Sequence, residues 1–205
     1  MKNNEIMYIN WGFKEYAGYL HDIAYLNRGI NEGAFSLFLS CIDLKDWFIA
    51  DKKFSMSKVP YTGDELRIDG YYYDKIWTDG SHVTHILVFY TNGIIFKVGL
   101  TGSLNYIEDR LCDHNFIKKI QNSLDCWGPY QIENENLKFE YYNIRGNSWF
   151  TFFAYCDIIN DSTFIIKKTT FSKTGKEDKE SSSFLDEYHF KQFSPKPDST
   201  NSVVP

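Results

Sequence analysis

The chain has 205 residues, 43% of them hydrophobic and 24% charged, with a net charge of −5 at neutral pH. A chain of this length buries about 70% of the surface that it exposes when unfolded, enough for one sizeable core. The balance excludes disordered and collagen-like classes and argues against nucleic acid as a partner, because phosphate backbones are held by clustered positive charge. No run approaches the ~18 apolar residues that cross a bilayer.

With 17 Phe, 15 Tyr and 5 Trp, the chain is rich in large, stiff side chains that favour strands, so a β-rich protein with an aromatic interior is expected. Cys41, Cys112, Cys126 and Cys156 form no C-x-x-C pair and no zinc-ribbon spacing, so they assign neither a metal nor a redox compartment.

Residues 1–60 read apart from the rest, as a helical segment or a leader. Tyr16, Tyr19, Leu20, Ile23, Leu26 and Ile30 recur at three- and four-residue spacing, which predicts an amphipathic helix that Gly18 and Gly29 weaken. The run Gly33-Ala34-Phe35-Ser36-Leu37-Phe38-Leu39-Ser40-Cys41 resembles the end of a bacterial lipoprotein signal. That likeness implies lipidation at Cys41, loss of everything before it, and a place at the cell envelope held by the lipid anchor alone. Phe38 and Leu39 depart from the usual pattern, and no methionine lies between Met7 and Met56 to shorten the leader. The other reading is a buried helix or strand with an ordinary apolar cysteine in a cytoplasmic protein.

Residues 61–193 read as one domain of antiparallel strands. Glu65 to Lys75 alternates Leu66, Ile68, Gly70 and Tyr72 against Arg67, Asp69, Tyr71 and Tyr73, as a strand wet on one side does. Val83–Tyr90 and Ile94–Leu100 flank Asn92-Gly93, the strongest short signal for a two-residue hairpin. Such a turn pairs Phe89 with Phe96 and Leu87 with Val98 on one apolar face, with Val88 meeting Lys97 on the other.

Between about 103 and 124 the pattern changes to a helical stripe of Ile107, Leu111, Ile120 and Leu124, and Asn105 with Glu108 fits a helix cap. One inserted helix is predicted. The sheet restarts at Trp127-Gly128-Pro129, and a turn at Asn134-Glu135 pairs Tyr130 with Phe139 and Ile132 with Leu137, leaving Gln131 and Lys138 on the wet face. Trp149–Ile159 and Thr163–Phe171 make a further hairpin whose loop length, and so whose inward face, stays open. After a polar turn from Lys173 to Ser183, Leu185–Phe193 supplies the last strand, with Tyr188 and Phe190 opposed to His189 and Lys191. Pro195 and Pro197 end it, and residues 194–205 read as an extended tail.

About eight strands joined by short turns make an up-and-down barrel the economical topology, since closure removes every sheet edge. Leu66-Arg67-Ile68-Asp69-Gly70-Tyr71-Tyr72-Tyr73, Trp127-Gly128-Pro129-Tyr130-Gln131-Ile132-Glu133 and the ending from Tyr188-His189-Phe190 to Asn201 resemble uncharacterised bacterial lipocalin-like proteins over about residues 64–201. The resemblance implies the barrel fold, with Gly70-Tyr71 where lipocalins usually carry Gly-Trp and with the helix between the third and fourth strands. It implies little about activity, because such barrels host unrelated functions.

Cys112 and His114 point to different helix faces, and His82 and His85 to opposite sides of a strand, so neither pair reads as a nucleophilic dyad or a metal site. Asp157, and Asp69 beside Glu65, give no supported carboxylate pair, and no serine-hydrolase, phosphate-loop or zinc-protease motif is present. The chain reads as a protein without catalytic residues, metal or cofactor. Tyr72, Phe89, Phe96, Tyr130, Phe139, Tyr141, Tyr188 and Phe190 form an aromatic stripe that lines the barrel. It either fills the interior or surrounds a pocket for a small apolar ligand, with phenol hydroxyls orienting it. The alternative function is a filled barrel whose exposed face, with Tyr71, Tyr73 and Trp77, meets a protein or a carbohydrate. Mass spectrometry of the mature protein from its native host decides between the two readings: the lipoprotein reading requires a lipidated Cys41 as the first residue, and an intact N-terminus eliminates it.

Overall fold

The computed structural model describes residues 48–49, 53–74, 83–145, 148–178 and 186–205. The stripe from Tyr16 to Ile30, Cys41, Trp77 and His82 lie outside the described residues. Eight antiparallel strands follow one another: β2 (Gly70–Tyr73), β3 (Thr84–Phe89), β4 (Ile94–Leu100), β5 (Trp127–Glu133), β6 (Asn136–Arg145), β7 (Ser148–Asn160), β8 (Thr163–Phe171) and β9 (Asp186–Gln192). Each pairs with the next, and β9 pairs back onto β2, so the sheet closes into an eight-stranded up-and-down barrel. A two-residue strand β1 (Phe48–Ile49) adds in parallel to the start of β7, opposite Ser148 and Trp149.

The β5–β6 hairpin has the register that its sequence predicts, Tyr130 opposite Phe139 and Ile132 opposite Leu137. Its turn residues Asn134 and Glu135 both take left-handed φ, 51° and 63°, the backbone that a two-residue turn between right-twisted strands demands. Asn-Gly at 92–93 behaves otherwise. The Tyr90 N–H donates to the Ile94 carbonyl at 3.0 Å and the Gly93 N–H to the Tyr90 carbonyl at 3.1 Å, and Gly93 alone in this loop has a left-handed φ, 80°. The loop therefore holds three residues, Thr91 to Gly93, and the expected pairing is corrected by one: Phe89 faces Ile95, Leu87 faces Lys97, and Val88 faces Phe96. The segment before the barrel is fitted to this wider turn. The Tyr61 N–H donates to the Thr91 carbonyl at 2.8 Å, and a Cβ at Gly93 would run into the Val59 backbone.

A one-residue slip moves a side chain to the other face of a sheet. Leu87, Phe89 and Ile95 therefore point inward with Tyr72, Tyr130, Leu137, Phe139, Tyr141, Phe152, Phe164 and Tyr188. Ile86, Val88, Phe96 and Val98 point outward into a second apolar core. That core is roofed by two helices, α1 (Leu104–Cys112) and α2 (His114–Ile120), where one was predicted. Asp113 divides them. It ends α1, and its carboxylate accepts from the N–H groups of Asn115 at 2.9 Å and Phe116 at 3.2 Å to start α2. The cap of α1 is Ser103 rather than the Asn105–Glu108 pair, its side chain accepting from the Tyr106 N–H.

The first barrel strand is shorter than expected. It starts at Gly70, and the residues before it turn across the barrel end, where the Arg67 N–H donates to the Asp161 carbonyl at 2.9 Å. Its outward face is not wet, because Tyr71 lies fully buried in the second core. The β7–β8 register, open in the sequence, pairs Asn160 with Thr163 and turns Phe152, Ala154 and Cys156 inward, with irregularities at Tyr155/Cys156 and Ile158/Asn160. The C-terminal tail folds back onto the barrel. Lys196 Nζ donates to the carbonyls of Ile68 at 2.6 Å and Phe89 at 3.0 Å, the Tyr90 hydroxyl donates to the Pro197 carbonyl at 2.8 Å, and Val204 is buried in the second core.

On the outside of β6, Glu140 is fully buried and clamps the segment that leads into the barrel. It accepts from the Ser55 N–H at 2.8 Å, the Ser55 hydroxyl at 3.0 Å and the Met56 N–H at 2.7 Å, beside a Phe54–Tyr142 ring contact of 4.8 Å. Glu140→Ala orphans two backbone donors and is expected to lower stability by about 2–3 kcal/mol. Chemical denaturation measures the loss, and limited proteolysis should show faster cutting near Met56.

Candidate functional site

The two ends of the barrel differ. At the turn end, where Thr91–Gly93, Asn134-Glu135 and Asp161-Ser162 connect the strands, the interior is packed ring against ring. Tyr72 lies 5.6 Å from Phe89, 5.2 Å from Phe164 and 5.3 Å from Phe190, and Phe89 lies 4.9 Å from Tyr130. The phenols here are satisfied: Tyr72 donates to the carbonyls of Asp161 at 2.7 Å and Arg67 at 3.1 Å, and Tyr130 to that of Tyr90 at 2.8 Å. Tyr61 and Leu66 close this end, the Tyr61 ring 6.0 Å from Tyr130. Burial pushes the Tyr61 phenol up to about 12.

At the opposite, loop end, the inward positions carry ionisable groups. Alternation from Tyr72 turns Asp74 inward, and from Leu87 it turns His85 inward. The Asp74 carboxylate accepts from the His85 backbone N–H at 2.8 Å and pairs with the ring Nδ1 at 2.6 Å. Asp186, two residues before Tyr188 on β9, is partly buried. Burial raises its carboxyl above the usual carboxylate range and the Asp74 charge adds to this, while His85 acts in the opposite direction. Tyr188 has no exposed surface, and its hydroxyl finds no hydrogen-bond partner among the described residues. Burial pushes this phenol far up, and the charges of Asp74 and Asp186 push the same way.

Across the barrel, Arg145 pairs with Asp178 and sits 5.2 Å over the Phe152 ring. Lys97 Nζ lies 4.4 Å from the Tyr141 ring centroid and 3.5 Å from the Tyr142 carbonyl. Burial pulls the Lys97 amine down to about 8, against the upward pull of Asp125 and Cys126.

Of the aromatic stripe, Tyr72, Phe89, Tyr130, Phe139, Tyr141 and Tyr188 are buried in the inner core, and Phe190 packs against it. Phe96 is the exception: it stands on the outer face, 4.9 Å from Trp127, because of the wider turn before β4. Tyr71 cannot belong to an exposed patch, since its buried hydroxyl donates to Glu108 Oε1 at 3.0 Å. Cys112 and His114 lie on separate helices. Asp69 pairs with Arg67 at 2.8 Å and Asp157 with Lys167 at 3.1 Å, both on the surface. Among the described residues no group of three His, Cys, Asp or Glu side chains converges as metal ligands, and no helix is long and apolar enough to cross a membrane.

Asp74, Lys97, Arg145 and Asp186 are what sequence reasoning missed as inward groups. Asp74 and Asp186 were within reach, because each continues the alternation of an inward tyrosine. Two hollows of about 400 and 320 Å3 lie toward the turn end, one along Gln131, Asn136 and Asp157, the other along Val59, Thr62 and Glu65.

Compared with known proteins, the chain matches no family model, no curated protein and no solved structure.

Lys97 makes stability depend on pH in a defined direction. Its folded value is about 8 against 10.5 for an ordinary lysine, so between those values the unfolded chain binds the extra proton and stability rises with pH. The Lys97 contribution should reach about 2–3 kcal/mol by pH 10. From about pH 9 the thiols of Cys126 and Cys156, which burial holds neutral, act in the opposite direction, and the tyrosines follow, so the contribution is read as the difference between wild type and Lys97→Met. In Lys97→Met it should disappear, as denaturation midpoints from pH 7 to 10 will show.

Proposed function

We propose that this is a non-catalytic, lipocalin-like binding protein that takes a small ligand at the loop end of its barrel. The observation that carries the reading is the division of the interior: a turn end filled with mutually satisfied aromatic residues, and a loop end where Asp74, His85, Asp186 and an unpartnered Tyr188 hydroxyl converge. A barrel of eight strands holds at most one small ligand beside its own side chains, and an apolar wall with a few convergent polar groups is the usual composition of such a site.

Binding without chemistry is favoured by the thiols. Burial pushes Cys126 and Cys156 well above the ordinary cysteine range, the opposite of what a nucleophile needs. The run before Cys41 supports placing the protein at the cell envelope, through a lipid anchor.

The second reading, an interaction module with a filled barrel, is favoured by the ring contacts at the turn end. Native mass spectrometry of the full chain purified under mild conditions separates them. A small-molecule adduct released on activation is expected, and its loss on changing Asp186 and Tyr188 together to Asn and Phe would place it at the loop end. Recovery of the bare chain alone favours the interaction module.

A further inference from the structure

Building on the binding reading, we propose that the loop end takes an organic cation, a protonated amine whose ammonium sits between Asp186 and Asp74 beside the Tyr188 hydroxyl. The sheet brings these three groups together. Tyr72 pairs with Phe190 and Tyr73 with His189, so the next step places Asp74 opposite Tyr188, while Asp186 follows on the same face of β9. On its other side Asp74 lies against His85, to which two of its acceptor positions are committed. The Asp186 carboxylate, partly exposed, makes no hydrogen bond or ion pair with any described residue, and the Tyr188 hydroxyl, wholly buried, makes none either.

Buried polar groups ordinarily have partners, and the phenols at the turn end do. A wholly buried phenol without a described partner, two residues along the same face from a partly exposed carboxylate, is open to a donor from outside the chain.

The charges around the site say which donor. Arg145 is matched by Asp178, and Lys97 lies over the Tyr141 ring and against the Tyr142 carbonyl. Cys156 and Tyr141, the remaining ionisable groups facing Tyr188, are pushed by burial toward their neutral forms. Among the described residues, the possible cation that Asp74 and Asp186 face is His85, and an incoming anion would be repelled. A neutral ligand would leave the Asp186 charge uncompensated in a partly dry place, which is costly. An ammonium supplies both charge and donors. The Phe164 ring stacks on Tyr188 at 5.0 Å, 5° from parallel, with both rings wholly buried, which fixes where the phenol hydroxyl stands.

The test is isothermal titration of the full chain with 2-phenylethylamine, 2-phenylethanol and 3-phenylpropionate at pH 7. The amine should bind about tenfold or more tightly than the alcohol, the worth of one hydrogen bond to a charged group, and the carboxylate more weakly than either. Asp186→Asn should remove the preference for the amine while leaving the alcohol unchanged, and Tyr188→Phe should weaken the amine severalfold. Asp186→Asn removes an unpaired charge, so its melting point should not fall. Equal binding of alcohol and amine, or a preference that survives Asp186→Asn, overturns the inference and leaves the binding reading standing. Failure of the amine to bind overturns it too, and the native mass spectrum tests the binding reading independently.

Discussion

The interior of this protein is decided by a constraint on two strands. β3 and β4 are buried on both faces, so alternation of apolar and polar side chains cannot say which face is inside. What decides it is one residue of loop. With three residues between Tyr90 and Ile94, Lys97 enters the barrel and Phe96 leaves it for the helical roof. With two, the reverse would hold. The backbone of Val59 to Tyr61, pressed against Gly93 and Thr91, belongs to the same device, because it packs on the wider turn.

This explains why one hairpin was legible and its neighbour was not. In β5 and β6, Gln131 and Lys138 oppose each other on a wet face, so the register announced itself twice, once from each strand. In β3 and β4 the only charged residue in either run is Lys97, and ordinary burial rules put it outside. Its inward position costs desolvation, visible in the lowered amine, and nothing local in the sequence records that cost. The single helix predicted between about 103 and 124 is two for a related reason: Asp113 falls inside the apolar stripe, yet it ends one helix and its carboxylate starts the next. The last strand was read correctly because Tyr188 and Phe190 alternate cleanly with His189 and Lys191.

The double burial of β2 to β5 also sets the barrel's asymmetry. A roof of helices and the returning tail cover these strands from outside, so their inner side chains are held from both directions and can form a dense floor. The clamp of Lys196 on the carbonyls of Ile68 and Phe89 tightens the same end.

The loop end has no such backing of rings from every side, and its inward residues lie next to long connections. A polar residue at a strand end reads in sequence as the start of a turn, which is how Asp74 and Asp186 escape notice. Once the register is known, the same residues become the continuation of the tyrosine stripe toward the barrel rim. The stripe is therefore two things along one face. At the turn end each phenol closes on a backbone carbonyl and serves as core. At the loop end the last phenol, Tyr188, stands among carboxylates with its hydroxyl unclaimed. A phenylalanine would fill that space without orphaning a hydroxyl. A tyrosine kept there, beside a carboxylate whose ionisation burial already disfavours, is two departures from the least costly packing at one spot, and departures that coincide in space point to a ligand more strongly than either does alone.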